Sequence, residues 1–380
     1  MGSSKEQNAN KYDQIKVLML IGNLDAGGKE RQLIALLQGL KERKHFSTIV
    51  AVMNPNGLRE SEASQFANSL VNVSRLFGLD LLSPVIKLIR LVKRENIQVI
   101  HTWGSGIWDL VGLLVAKFCR VPMLHGGIRL SPSRLDFSNR LTKWSAKKAE
   151  AIVANSQAGL KAFGFEADPR TRVIYNGVDM SRFEGLPESP PENHENLCMV
   201  ANFSNKKDHI SLVAAMPAIL TSFPDARLLL VGHDAGTLDA VKAYALEIGV
   251  GSHVEFITDT LKPEPYIAKS RIGILSTNET VHGEGTANAL LEYMALSKPV
   301  VVSDNGGNRE VVKDGESGFV IKPGSPDEIV KHVNLLLADA ARAQQMGRMG
   351  KAILIEKFGM DEMINAYVDI YQALKNQDTG

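Results

Sequence analysis

Glu284 and Glu292 stand eight positions apart in the segment His282–Gly283–Glu284–Gly285–Thr286–Ala287–Asn288–Ala289–Leu290–Leu291–Glu292. Ala287, Leu290, Leu291, Met294 and Ala295 recur at helical spacing and define one apolar face. At about 100° per residue, Asn288 and Glu292 fall together on the flank of that face, one turn apart. Glu284 precedes the helix, and Gly285 lets a ligand approach the backbone. The free N–H groups of the first turn, over Gly285, Thr286, Ala287, Asn288 and Ala289, offer an anion site. Such a segment suits a nucleotide diphospho-sugar, with the diphosphate on the helix start, ribose hydroxyls on Glu292 and sugar hydroxyls near Glu284. Taken alone, two glutamates at this spacing equally fit an ordinary surface helix.

A second candidate follows the first strand, where Gly27–Gly28–Lys29–Glu30–Arg31 combines backbone freedom with a helix start. It is not a Walker A loop, because Gly28 and Lys29 stand where Lys and Ser/Thr would follow Gly27. A G-x-G-x-x-G fingerprint is absent there. No D-x-D pair and no His, Cys or carboxylate cluster has ligand spacing, so neither a metal nor a cofactor is expected.

The elements that must position these residues read as strand and helix in alternation. In the first half, Lys16–Ile21, Ser47–Met53, Val99–His101, Met123–Leu124 and Ala151–Ala154 read as strands. Helical patterns run over Glu30–Leu40, Leu81–Arg94, Asp109–Phe118 and Arg140–Lys148. The second half repeats this grammar from Leu197 onward and closes with helices at Asp327–Ala338, Ala341–Lys357 and Met360–Lys375. Alternation of this kind implies parallel sheets with helices on both faces. The 380 residues exceed one core and suit two such domains. Residues 1–14 read as a disordered tail, 15–183 as the first domain, and the proline-rich 184–196 as a linker. The second domain is expected over 197–358, followed by a C-terminal helical segment over 359–380.

Composition, 44% hydrophobic and 22% charged, is that of a globular chain, and the longest apolar runs are strand-sized. Cys119 and Cys198 are isolated, which fits a reducing cytoplasm. The net charge of +1 hides a division. Of 43 basic and 42 acidic residues, 25 and 15 fall in residues 1–180, which leaves 18 and 27 in the remainder. A basic first half is compatible with an anionic membrane surface or a phosphate-bearing acceptor. Nucleic acid is not expected, since no recognition motif or aromatic platform is present.

The run from His282 to Val320 continues through Lys298–Pro299–Val300–Val301–Val302–Ser303 and Gly306–Gly307–Asn308–Arg309–Glu310, and ends in Asp314–Gly315–Glu316–Ser317–Gly318–Phe319–Val320. It resembles the C-terminal signature of glycosyltransferase family 4, the retaining sugar transferases of GT-B fold, with Glu284 and Glu292 on the family's E-x7-E pair. The resemblance implies an α/β protein of two Rossmann-like, doubly wound domains facing across a cleft. A nucleotide sugar would bind the second domain and a glycan or glycolipid acceptor the first, with the last helix crossing back. A UDP-hexose is the commonest donor in the family. By the same likeness, Lys207 matches a lysine that reaches the donor phosphates, whereas Asn202 stands where an arginine is usual. Gly27 and Gly28 match a G-G-x-E-R loop facing sugar and acceptor. Arg129 or His125 would stand near the reacting sugar, and alignment favours Arg129. Two other readings stay open: a nucleotide-sugar epimerase of the same fold, and a non-catalytic partner that keeps the fold.

Overall fold

The computed structural model describes residues 14–75, 80–104, 106–188 and 195–377. The expected tail lies outside the described residues except for Gln14, as does the expected linker between residues 189 and 194. Two parallel sheets organise the chain. The first contains β1 (Ile15–Ile21), β2 (Phe46–Val52), β3 (Ser69–Asn72), β4 (Val99–Thr102), β5 (Met123–Ile128), β6 (Ala151–Ala154) and β7 (Thr171–Val173). Their spatial order is β3-β2-β1-β4-β5-β6-β7. The second contains β8 (Asn196–Val200), β9 (Arg227–Val231), β10 (Val254–Ile257), β11 (Ile272–Leu275), β12 (Val300–Ser303) and β13 (Gly318–Ile321), in the order β10-β9-β8-β11-β12-β13. The central strands are near-continuous apolar runs because helices cover both of their faces. In each sheet the order reverses beside the first strand, which opens a crevice at the carboxyl ends of the strands.

Around the first sheet lie α1 (Gly28–Glu42), α2 (Glu60–Phe66), α3 (Leu82–Glu95), α4 (Ile107–Cys119), α5 (Phe137–Ala146) and α6 (Gln157–Phe163). Around the second lie α7 (His209–Ser222), α8 (Leu238–Glu247), α9 (Glu264–Ala268), α10 (Asn288–Ala295), α11 (Asn308–Val311), α12 (Pro326–Ala338) and α13 (Ala340–Lys357). Among the described residues four α-helix starts carry the caps their sequences provide: Asp136 accepts from the Asn139 amide, Ser156 from Gly159, Asp208 from Ser211 and Asp339 from Arg342. The Asp136 cap starts α5 three residues ahead of the expected basic helix.

The last helix, α14 (Met360–Gln377), buries Met363, Ile364, Tyr367, Ile370, Tyr371 and Leu374 in the core of the first domain, against β1 and β4. The domains also meet through Glu310 of α11. Its carboxylate accepts the Gln157 and Ala158 amides of α6, both at 2.8 Å, and the Tyr175 hydroxyl at 3.1 Å. A second-domain acid thus caps a first-domain helix. Burial, with the nearby carboxylate, pushes the Tyr175 hydroxyl up to about 12. Among the described residues no helix is long and apolar enough to cross a membrane.

Candidate active site

A cleft of about 730 Å³ lies between the domains, lined by residues of both. The helix that carries the second glutamate begins later than the apolar period suggests. Ala287 is still extended and α10 starts at Asn288, so Gly285 and Thr286 form the approach rather than the first turn. Gly285 also has a different task from the one expected. A Cβ there would lie 2.2 Å from Asn155 Oδ1 and 2.8 Å from the Arg129 carbonyl, so the missing side chain admits the first domain. Thr286 is held from the same side, its hydroxyl donating to the Asn155 carbonyl and its own carbonyl accepting from Asn176 Nδ2 at 2.8 Å.

Glu284 sits in the cleft wall with a side chain only 7% exposed. Lys207 Nζ donates to its Oε1, Thr277 Oγ1 donates to the same oxygen at 2.8 Å, and His282 Nε2 faces Oε2 at 3.6 Å. Burial raises the carboxyl, but the attraction of Lys207 and the His282 contact outweigh it and hold Glu284 well below the usual carboxylate range. Lys207 comes from the loop after β8, pinned by an antiparallel bridge to Thr277 beyond β11. Asn202, in the same loop, lines the cleft while its Oδ1 accepts from the His233 amide at 3.2 Å.

Glu292 departs most from expectation. It was expected on the helix flank, off the apolar stripe, yet it is almost fully buried because α10 packs on every side. Its Oε1 accepts from Arg31 of α1 and from Arg182 Nη2, the latter at 3.0 Å, while Oε2 is buried without a hydrogen-bond partner. Burial raises this carboxyl too; Arg31 and then Arg182 bring it below its ordinary value. Arg182 also binds Glu264, with Nε to Oε1 at 2.7 Å. Arg31 lay within the quoted Gly-Gly-Lys-Glu-Arg run without a role, nothing in the local pattern singled out Arg182 or Thr277, and Asn176 stood out only as part of a family landmark read as structural around the hinge.

On the opposite wall, Gly27 and Gly28 bring the start of α1 to the cleft. Asn288 reaches it from α10, donating to the Gly28 carbonyl at 3.1 Å and accepting from Asn176 Nδ2 at 2.7 Å. Ala287 and Ala289 complete that edge. Arg129 lines the cleft with its guanidinium 3.8 Å from the Trp103 ring centroid, and its Nη2 donates to the Tyr367 hydroxyl of α14 at 3.0 Å. His125 is not part of the site. It is fully buried behind β5, 3.4 Å from Asp109 Oδ2 and 3.2 Å from Ser145 Oγ, because its side of the strand is covered by α4 and α5. His101 is likewise buried, with Nδ1 2.7 Å from the Tyr371 hydroxyl. Burial, then Arg129, pushes it well below the ordinary histidine range. Among the described residues no group of three or more His, Cys, Asp or Glu side chains could hold a metal ion.

Two parallel Rossmann-like sheets that meet across a cleft, with two ion-paired carboxylates in its wall, define a GT-B architecture. Residues 26–182 match the family described as Glycosyltransferase Family 4, and residues 186–353 that described as Glycosyl transferases group 1. The chain belongs to glycosyltransferase family 4. It is 22% identical over 354 residues to the lipopolysaccharide core biosynthesis glycosyltransferase LpsE of Rhizobium meliloti, covering 90% of this chain and 95% of the relative. It is 28% identical over 282 residues to the GDP-mannose-dependent alpha-(1-6)-phosphatidylinositol monomannoside mannosyltransferase of Mycolicibacterium smegmatis, covering 70% and 74%. The crystal structure of HepE from Anabaena, in complex with UDP and glucose, superposes with a TM-score of 0.83 at 20% identity, over 95% of this chain and 100% of that one.

Proposed function

We propose that this glycosyltransferase moves a hexose from a UDP-sugar to a hydroxyl of a glycan or glycolipid, with the anomeric configuration kept. One arrangement carries the reading: the start of α10 lies between the Lys207–Glu284 pair and Glu292, whose buried Oε2 has no partner. A diphosphate on the helix start would then present ribose hydroxyls to Glu292 and the sugar to Glu284. The acceptor oxygen would bond to the anomeric carbon as the carbon–phosphate oxygen bond breaks, and the departing diphosphate would take the acceptor proton on the same face. Glu284, ionised and tied to Lys207 and Thr277, suits sugar-hydroxyl binding better than nucleophilic attack. Lys207 and the helix start supply positive charge where the leaving group gains negative charge.

The test is a screen of UDP-, GDP- and ADP-sugars for binding and hydrolysis. UDP is favoured because HepE binds it within the same fold; a clear preference for GDP-mannose would overturn the donor assignment. With the leaving-group charge met by protein groups alone, turnover should be unchanged in EDTA. Complete loss, restored by Mg²⁺ or Mn²⁺, would count against this mechanism.

We propose that the chain docks peripherally at the cytoplasmic face of a membrane, a reading supported by the outer faces of α3, α4 and α5, which combine charge with uncovered apolar bulk. Leu82, Phe118 and Phe137 are 74%, 65% and 77% exposed, too much for side chains that merely flank a core. Lys87, Arg90, Lys93, Lys117, Arg140 and Lys143 share these helices, and Lys93 Nζ lies 5.4 Å from the Phe118 ring centroid. Each basic residue near an anionic surface contributes about 1 kcal/mol, screened by salt. Sedimentation with phosphatidylserine vesicles should therefore show binding that falls steeply with salt and is weak on neutral vesicles. Indifference to anionic vesicles at low salt would point to a soluble acceptor.

A further inference from the structure

The backbone that carries Glu284 is stitched to the other domain. Leu130 and Glu284 form an antiparallel bridge, the Ser131 amide donates to the Gly283 carbonyl at 2.9 Å, and Ser131 Oγ donates to the Glu284 carbonyl at 2.5 Å. The approach is as close as two backbones can come. A Cβ on Gly283 would lie 1.8 Å from the Ser131 carbonyl oxygen. From its own domain Glu284 receives a matching hold, with its amide donating to Asn305 Oδ1 at 2.7 Å and its carbonyl accepting from the Gly307 amide at 3.0 Å. The carbonyl of Glu284 is thus shared between Gly307 of its own domain and Ser131 of the other.

Ser131 lies two residues beyond Arg129, which stacks on Trp103 in the cleft. One short first-domain segment therefore presents a cation to the cleft and fixes the carboxylate facing it. Lys207 and Thr277 hold the Glu284 side chain, but both belong to the second domain and move with it. The first-domain contacts are the ones that register whether the cleft is closed.

We infer that Ser131 is a positioning residue which sets the Glu284 backbone only when the two domains are together, so that the sugar-facing carboxylate is assembled by closure. Nucleotide binding to the second domain does not need this contact; the chemical step does. This rests on the reading of Glu284 as a donor-site residue.

The test compares Ser131→Ala, which removes the hydroxyl, with Ser131→Thr, which keeps it. Turnover uses the best nucleotide sugar from the screen, and binding uses the matching nucleoside diphosphate in a calorimeter. Ser131→Ala should lose about tenfold in kcat, as expected for loosened geometry around a reacting centre, while nucleotide affinity and Tm stay close to wild type. Ser131→Thr should recover most of the rate. Gly283→Ala, which forces the two backbones apart, should show the same split between kcat and affinity. Wild-type kcat in Ser131→Ala, or equal losses in kcat and nucleotide affinity that Ser131→Thr does not rescue, would overturn the inference. Full activity in Glu284→Gln would instead remove the donor-site reading, and this inference with it.

Discussion

Replacing Lys207 with alanine should lower kcat by roughly 10²–10³-fold, the scale for losing one preorganised group at a developing charge. The loss should exceed any change in donor affinity, because the charge on the diphosphate grows as the sugar departs. The pairing with Glu284 adds a second effect. Truncation leaves a buried carboxylate without its principal counter-charge, a change that typically costs about 3–5 kcal/mol. The pH dependence follows from the same pair. In the wild type the folded carboxyl lies below its unfolded value of about 4.3, so its contribution is complete above that pH and fades only in stronger acid. Without Lys207, burial raises the carboxyl and the sign reverses: the folded state then holds the proton more tightly than the unfolded chain. Acidification should therefore recover part of the lost Tm in Lys207→Ala, while activity that needs the ionised carboxylate should fall at a higher pH than in the wild type. Wild-type turnover in Lys207→Ala would show that the leaving-group charge is met elsewhere.

Glu292→Gln should weaken nucleoside diphosphate binding by roughly 10–100-fold, as expected for losing a hydrogen bond to a charged group. The apolar period alone suggests that this change would spare the fold, since it sets Glu292 on a free flank. The structure alters that expectation. Arg31 and Arg182 both depend on this carboxylate, and Arg31 reaches it from the opposite domain. A fall in Tm should therefore accompany the loss of affinity, and Arg31→Met should reproduce part of it. Calorimetry showing unchanged UDP affinity in Glu292→Gln would sink the ribose assignment.

The two-sheet architecture was legible because strands covered on both faces must be near-continuous apolar runs, as residues 17–21 and 300–302 are. The edge strands Ser69–Asn72 and Thr171–Val173 were not, being short and partly exposed, with little hydrophobic signal to offer. At the site, Glu284, Lys207, Gly27 and Gly28 could be named because each belongs to a local motif. The partners of Glu292 could not, because Arg31 and Arg182 lie 261 and 110 positions away and meet it only once the chain has folded. A helical period also cannot distinguish a solvent flank from a second interface, which is why Glu292 read as lying on a free flank. His125 failed for a related reason. A residue near the end of a strand points to either of two layers, and here the layer is α4 and α5 rather than the cleft.

The Glu310 carboxylate that caps α6 makes two backbone protons into a clock. The Gln157 and Ala158 amides belong to one domain, but their acceptor belongs to the other, so separating the domains uncaps them together. Neither amide has a partner within the first turn of its own helix to protect it once that acceptor withdraws. Their exchange with solvent deuterium thus keeps time with the opening of the cleft, and slower exchange when nucleotide is bound would measure how far the ligand favours the closed form.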